Sequence, residues 1–237
     1  MSAQPAVALE GVSAFAPAVI GRVMRQVSPE EARGSGWASA LLISGGVLQI
    51  PQDAEIYGEG ADAAAFYKVV DGVVRTCKFR SDGRRQIEAF HRKGDVFGFE
   101  SGDAYRLTAE AVSDCTVIAY RRRGIEQLAA TSNTLSQQLF GYFMQEMTRA
   151  RAHALVLGRR SAVERVGAFL HDAAQRSRDG RTISLAMTRQ DIADYLGLTI
   201  ETVSRTLSQL ERDEVIAMPV SRQIRVQDPA WLEDLAA

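Results

Sequence analysis

The sequence predicts an α+β fold in which a strand-rich half is followed by a helical half. Three observations carry this expectation. Between about residues 37 and 124, short apolar runs alternate with glycine-containing turn signals. From Ile125 to Leu157, apolar residues recur at three- and four-residue steps. Beyond Gly158 the chain divides into shorter helical stretches opened by capping signatures. The organisation expected is an N-terminal arm (1–36), a β-domain (37–124), a long helix (125–158) and a C-terminal domain (159–237).

The arm, rich in Ala, Gly and Ser, holds one apolar pattern (Val19, Ile20, Val23, Met24) that reads as a short helix. In the β-domain the apolar runs are Leu48–Ile50, Phe66–Val70, Val73–Phe79, Gln86–Phe90, Leu107–Val112 and Thr116–Tyr120. Gly45-Gly46, Gly58-Glu59-Gly60, Asp71-Gly72, Asp82-Gly83 and Lys93-Gly94-Asp95 separate them. Asp-Gly between two alternating runs predicts a hairpin with a type I′ turn, which needs positive φ at both central positions. Many short strands at this spacing predict a β-sandwich or small barrel.

The long helix carries Leu135, Leu139, Phe143, Met147, Ala150, Ala154 and Leu157 on one stripe, with no Pro and only Gly141 in its body. Such a stripe could lie against the chain's own β-domain or seam two subunits as in a coiled coil. The small Ala150 and Ala154 would let a partner helix approach closely. Gly158-Arg159-Arg160 then breaks the pattern. Ser161 with Glu164 three residues later fits a capping box, opening a helix at about Ala162 that ends before Gly180. No internal repeat or low-complexity tract is visible.

Composition narrows the function classes. The net charge of −1 gives no global case for nucleic-acid binding, so a DNA surface would have to come from local arrangement of basic residues. Cys77 and Cys115 match no metal or redox spacing and suit packing in the core of a protein kept in a reducing compartment, although sequence leaves a disulfide between them open. The N-terminus lacks the basic start and compact apolar run of a signal peptide, and no apolar stretch is long enough to cross a bilayer. A cytoplasmic, soluble protein without membrane contact is expected. No nucleophile–base pair, metal-ligand cluster or phosphate loop points to an enzyme.

The informative stretch is MTRQDIADYLGLTIETVSRTLSQLER, Met187 to Arg212. Thr188 and Asp191 form a capping signature for a helix whose apolar face is Ile192, Tyr195 and Leu196. Gly197 suits the positive φ at which such a helix ends. Thr199 is placed to cap a second helix with an inward face of Ile200, Val203, Leu207 and Leu210. Two short helices, a Gly-containing turn and inward apolar residues are the grammar of a helix-turn-helix. Glu201, Ser204 and Arg205 fall on the outer side near the second helix's N-terminus, the end that meets base edges in a major groove. Arginine can pair bidentately with guanine, glutamate can accept from cytosine N4, and serine can do either. The plainer alternative is a solvated hairpin with an incidental i, i+4 Glu–Arg pair.

TRQDIADYLGLTIETVSR resembles the DNA-binding signature of the Crp/Fnr superfamily, and Glu201-Thr-Val-Ser204-Arg205 is similar to the E-x-x-S-R reading motif of its oxygen-regulator branch. The resemblance runs from about residue 38 to 230 and includes GEG at 58–60, KGDVFGFE at 93–100 and AVERVGAFL at 162–170. Within the superfamily the chain most resembles FixK-type regulators of microaerobic and nitrogen-oxide metabolism. The resemblance implies an N-terminal β-roll (jelly roll) of cyclic-nucleotide-binding type, a long dimerisation helix and a C-terminal winged helix-turn-helix. It implies a homodimer on double-stranded DNA at a TTGA-N6-TCAA-type palindrome, with RNA polymerase as a further partner. Carried over residue by residue, Glu201 and Arg205 would read the G·C pair and Ser204 the preceding T·A. Thr188, Arg189, Gln190, Thr199 and Thr202 would contact or approach phosphates, with Ser221 and Arg222 in the wing.

The alternative within the same family is a ligand-gated sensor whose β-roll holds a cyclic nucleotide, haem or gas. The departures from the family's cassette weigh against a nucleotide. Phe97-Gly-Phe-Glu100 is followed after a short stretch by Arg106-Leu107-Thr108, where Arg106 is at most the relic of a phosphate arginine, and Ala150 and Arg151 stand where hydroxyls would meet the base. Two cysteines are too few for an iron–sulfur cluster. His91, His153 and His171 are read as ordinary polar residues rather than haem ligands. No cofactor is expected.

Overall fold

The computed structural model describes residues 45–159, 161–220 and 222–236. The N-terminal arm and its expected helix lie outside the described residues. Residues 45–121 form two four-stranded antiparallel sheets, a sandwich of the expected kind. One sheet orders β1 (Gly45–Ile50), β8 (Cys115–Arg121), β3 (Ala65–Asp71) and β6 (Val96–Phe97). The other orders β2 (Glu55–Tyr57), β7 (Thr108–Ala111), β4 (Val74–Phe79) and β5 (Arg85–His91). Each predicted run falls on a strand, while the short β2 and β6 escaped notice because two or three residues carry no period.

Three turn expectations are corrected. Gly45 and Gly46 do not form a turn; they begin β1, paired with Tyr120 and Ala119, because a full-length partner strand overrides the weak strand preference of glycine. Asp71-Gly72 does not close a hairpin, since β3 and β4 belong to different sheets. The chain changes sheets there, and a Cβ on Gly72 (φ 85°) would stand 2.4 Å from the Asp114 carbonyl oxygen. Asp82-Gly83 does lie in the β4–β5 hairpin, but positive φ occurs at Gly83 alone. The Gly83 amide donates to the Arg80 carbonyl at 2.9 Å and the Arg80 amide to that of Arg84 at 2.8 Å, the pattern of a three-residue loop rather than a type I′ turn.

The expected single long helix is two. Helix α1 (Arg122–Thr131) stops at Ser132, whose side chain caps α2 (Asn133–Gly158) by accepting from the Leu135 amide. Thr-Ser-Asn at 131–133 supplies the local hydrogen bonding that competes with a continuous helix. The first turns of α2 lie on the chain's own β-roll. Leu135, 6% exposed, is buried with Val47, Phe66, Val96, Ile118, Tyr120 and Ile125, and Leu139 and Tyr142 pack beside it. The Tyr142 hydroxyl bonds the backbone of Val96. Leu135 is therefore engaged with its own chain's β-roll. Beyond it the stripe emerges at Phe143 and Met147, and the off-stripe Phe140, Met144 and Leu155 are exposed as well.

The C-terminal domain is built on α3 (Ala162–Gln175), whose Ser161–Glu164 capping box is present as expected. There follow β9 (Thr182–Ser184), α4 (Arg189–Leu196), α5 (Ile200–Arg212), the hairpin β10 (Ile216–Val220) and β11 (Gln223–Val226), and α6 (Pro229–Ala236). β11 is the centre of the small sheet, between β10 and β9. One continuous core joins Leu170, Ile183, Ile192, Leu196, Val203, Leu207, Leu210, Ile216 and Ile224 and extends to Val112 of the β-roll.

Candidate nucleic-acid interface

The geometry of the two short helices follows from their caps. Thr188 accepts from the Asp191 amide at 3.1 Å, and the Asp191 carboxylate reaches back to the Thr188 amide at 2.9 Å, a complete capping box. Gly197, at φ 63° and ψ 39°, ends α4 in the left-handed conformation. Two residues later the Thr199 hydroxyl accepts from the Thr202 amide at 3.2 Å and opens α5. The turn is also held from outside. Arg165 on α3 donates from Nη1 to the Leu196 carbonyl at 3.1 Å and from Nε to the Arg159 carbonyl at 3.0 Å, joining the end of α2, the helix α3 and the last carbonyls of α4.

On α5 the inward residues are Val203, Thr206, Leu207 and Leu210. Ile200 is a correction: at 37% exposure it stands on the rim, since the first turn of α5 projects beyond the core and the inward row ends at Val203. Glu201, Ser204 and Arg205 are all exposed, on one side of the helix's N-terminal half. The Glu201 carboxyl is held below the usual range by its own backbone amide, then by the Thr199 hydroxyl and the Arg205 charge, so it stands ionised as an acceptor. Around this edge lie exposed Thr188, Gln190 and Thr199 and half-buried Arg189 and Thr202. Gln190 donates to Asp194 at 2.6 Å, and Arg189 reaches the Met218 sulfur at 3.5 Å. Arg222 is exposed at the β10–β11 hairpin; Ser221 lies outside the described residues. The hairpin is tied to both helices through Met218, which meets Arg189 of α4 and donates its amide to Glu211 of α5.

The β-roll interior is filled by its own side chains. The Tyr57 and Tyr105 rings stack 3.6 Å apart, with Tyr67 and Phe97 against Tyr57, and the Tyr105 hydroxyl donates to the Ala65 carbonyl at 2.5 Å. Burial raises the Tyr57 and Tyr105 phenols well above their usual value. Arg106, the possible phosphate arginine, is exposed and bound to Glu100, which accepts its Nε at 2.9 Å. The stacked tyrosines are part of the sandwich core, and Arg106 is already paired at the rim. His91 is buried against Thr76 (3.0 Å) and Phe97, and His153 stacks on Tyr195 at 3.9 Å. Both cysteines are free and buried, and desolvation first, then Glu110, raises the Cys77 thiol to about 12. Among the described residues no group of three or more His, Cys, Asp or Glu side chains could hold a metal ion, and no helix is long and apolar enough to cross a membrane.

A sandwich of this topology joined to a helix-turn-helix with a β-hairpin wing defines a class, and comparison with known proteins agrees. Residues 47–132 match the cyclic nucleotide-binding domain family and residues 164–235 the Crp-like helix-turn-helix domain family. The chain belongs to the Crp/Fnr superfamily of transcription regulators, within its FixK-type group. It is 48% identical over 191 residues to the nitrogen fixation regulation protein FixK of Azorhizobium caulinodans, covering 78% of this chain and 76% of the relative. It is 42% identical to the protein of that name from Rhizobium meliloti, covering 76% and 82%. Among solved structures, FixK2 from Bradyrhizobium japonicum superposes with a TM-score of 0.78 at 42% identity, over 82% of this chain and 98% of that one.

Sequence reasoning missed the side chains that hold this domain in place. Asp191 was legible as a cap, yet its other oxygen takes Arg75 and Arg85 of the β-roll, at 3.1 and 2.5 Å. Nothing in the local sequence pairs residues more than a hundred positions apart.

Proposed function

We propose that this protein is a cytoplasmic homodimeric activator that reads a TTGA-N6-TCAA-type palindrome through Glu201, Ser204 and Arg205. The observation that carries the reading is the side-by-side exposure of those three residues on a helix whose opposite face is fully buried. Arg205 would pair with guanine O6 and N7 and ionised Glu201 would accept from cytosine N4, while Ser204 would meet the neighbouring T·A pair. Thr188, Arg189, Gln190, Thr199 and Thr202, with Arg222 at the hairpin and also Ser221, would meet phosphates and fix the register. The later part of α2, with exposed Phe143, Met147, Ala150 and Ala154 and half-buried Leu157, would form the subunit seam. A twofold pair would then place two recognition helices roughly 34 Å apart, one helical turn of DNA. The names of the relatives support control of nitrogen-fixation genes, and activation would bring RNA polymerase as a partner.

The experiment is a titration of purified protein on the palindrome and on random duplex. Arg205→Ala should remove about 1–3 kcal/mol of preference for the palindrome while leaving salt-sensitive binding to random DNA intact. Equal loss on both duplexes would overturn the reading role.

A further inference from the structure

The contact between β-roll and helix-turn-helix is built on charge. Arg75 and Arg85 rise from adjacent strands β4 and β5, and Arg75 is itself 8% exposed. Arg75 Nε binds Glu110 at 2.8 Å and its Nη1 binds Asp191 at 3.1 Å. Arg85 Nη2 binds the same Asp191 oxygen at 2.5 Å, and its Nε binds Asp194 at 2.9 Å. Gln86 adds a bond to the Asp194 carbonyl at 2.8 Å, and the Phe90 ring lies 5.2 Å from that of Tyr195.

Asp191 divides its carboxylate between two tasks. Oδ2 closes the capping box at Thr188, and Oδ1 takes both arginines. At 2% exposure this is a buried charge whose partners come from another domain, so losing them leaves it uncompensated. The pairing therefore acts at the N-terminus of α4, beside Thr188, Arg189 and Gln190. Because α4 and α5 share one core, the pose of α4 is also the pose of the recognition helix.

We propose that Arg75 and Arg85 are positioning residues for DNA recognition: a built-in arginine clamp on Asp191 and Asp194 that sets the helix-turn-helix in its DNA-reading pose without an effector. The proposal rests on the DNA-binding reading above. Arg75 and Arg85 touch no base; they act by keeping one arrangement of the two domains populated, and affinity falls by the fraction of time that arrangement is lost.

The test compares the full chain with the double variant Arg75→Gln/Arg85→Gln. Without DNA, hydrogen exchange should rise at β5 and α4 in the variant while β1, β8 and α5 keep their protection. With DNA, affinity for the palindrome should fall about tenfold or more while binding to random duplex stays within twofold, as expected of a pose rather than a contact. Unchanged exchange at β5 and α4 overturns the clamp, and so does palindrome affinity that is unchanged or increased. Wild-type protein that fails to prefer the palindrome overturns the DNA reading instead, and the exchange measurement still judges the clamp. Should the double variant not fold, Arg85→Lys serves, since an ammonium keeps the charge but cannot span Asp191 and Asp194; the same changes are expected, in smaller measure, and their absence overturns the proposal.

Discussion

His91 stands 6% exposed between the Thr76 hydroxyl and the Phe97 ring, and burial lowers its pKa from 6.5 to about 4. Asp95 opposes that shift, while Arg149 on α2 and Arg176, just past the end of α3, reinforce it. Between about pH 6.5 and 4 the unfolded chain binds a proton that the folded chain refuses, so stability must fall as pH drops through that window. The fall attributable to His91 is on the order of 3 kcal/mol. Urea denaturation at pH 7 and 4.5, for the wild type and for His91→Gln, should show a smaller loss in the variant; identical losses would contradict the assignment. At this scale the sequence was legible where chemistry is local. Thr188, Asp191, Gly197, Thr199, Ser161 and Glu164 each declared a cap or a stop, and each is found in that role. It was illegible where partners are distant, as with Arg75, Arg85 and Arg165.

Helix α2 changes its allegiance along its length. Its first turns are fixed to the β-roll through Leu135, Leu139 and Tyr142, whereas Phe140, Phe143, Met144, Met147 and Leu155 project outward. A cluster of large apolar side chains on one helix is the mark of a missing partner. Periodicity alone could not tell which apolar residues face inward and which outward, because both sets share the same three- and four-residue steps. The break at Ser132 was equally hidden, since a polar triplet inside a helical pattern is often tolerated. If the outward set forms the proposed seam, Met147 lies within it. Met147→Asp should give a monomer by light scattering while leaving the thermal unfolding of that monomer little changed, its side chain being 38% exposed already. An intact dimer would move the seam elsewhere.

At the scale of the whole molecule, the two-sheet domain, the helical connection and the helix-turn-helix were foreseen from pattern and resemblance, and the Crp-like fold is what the chain adopts. What could not be foreseen is how the domains meet, because buried charge pairs between domains leave no trace in periodicity. The proposed function requires two copies to present Glu201, Ser204 and Arg205 to successive major grooves on one face of a duplex. The most direct test measures binding to the TTGA-N6-TCAA palindrome and to duplexes whose spacer is longer by about five base pairs, half a helical turn. One dimer should bind per palindrome, with most specific affinity lost on the lengthened site as one recognition helix swings out of register. Equal affinity for both spacings, or binding by a single subunit, would contradict it.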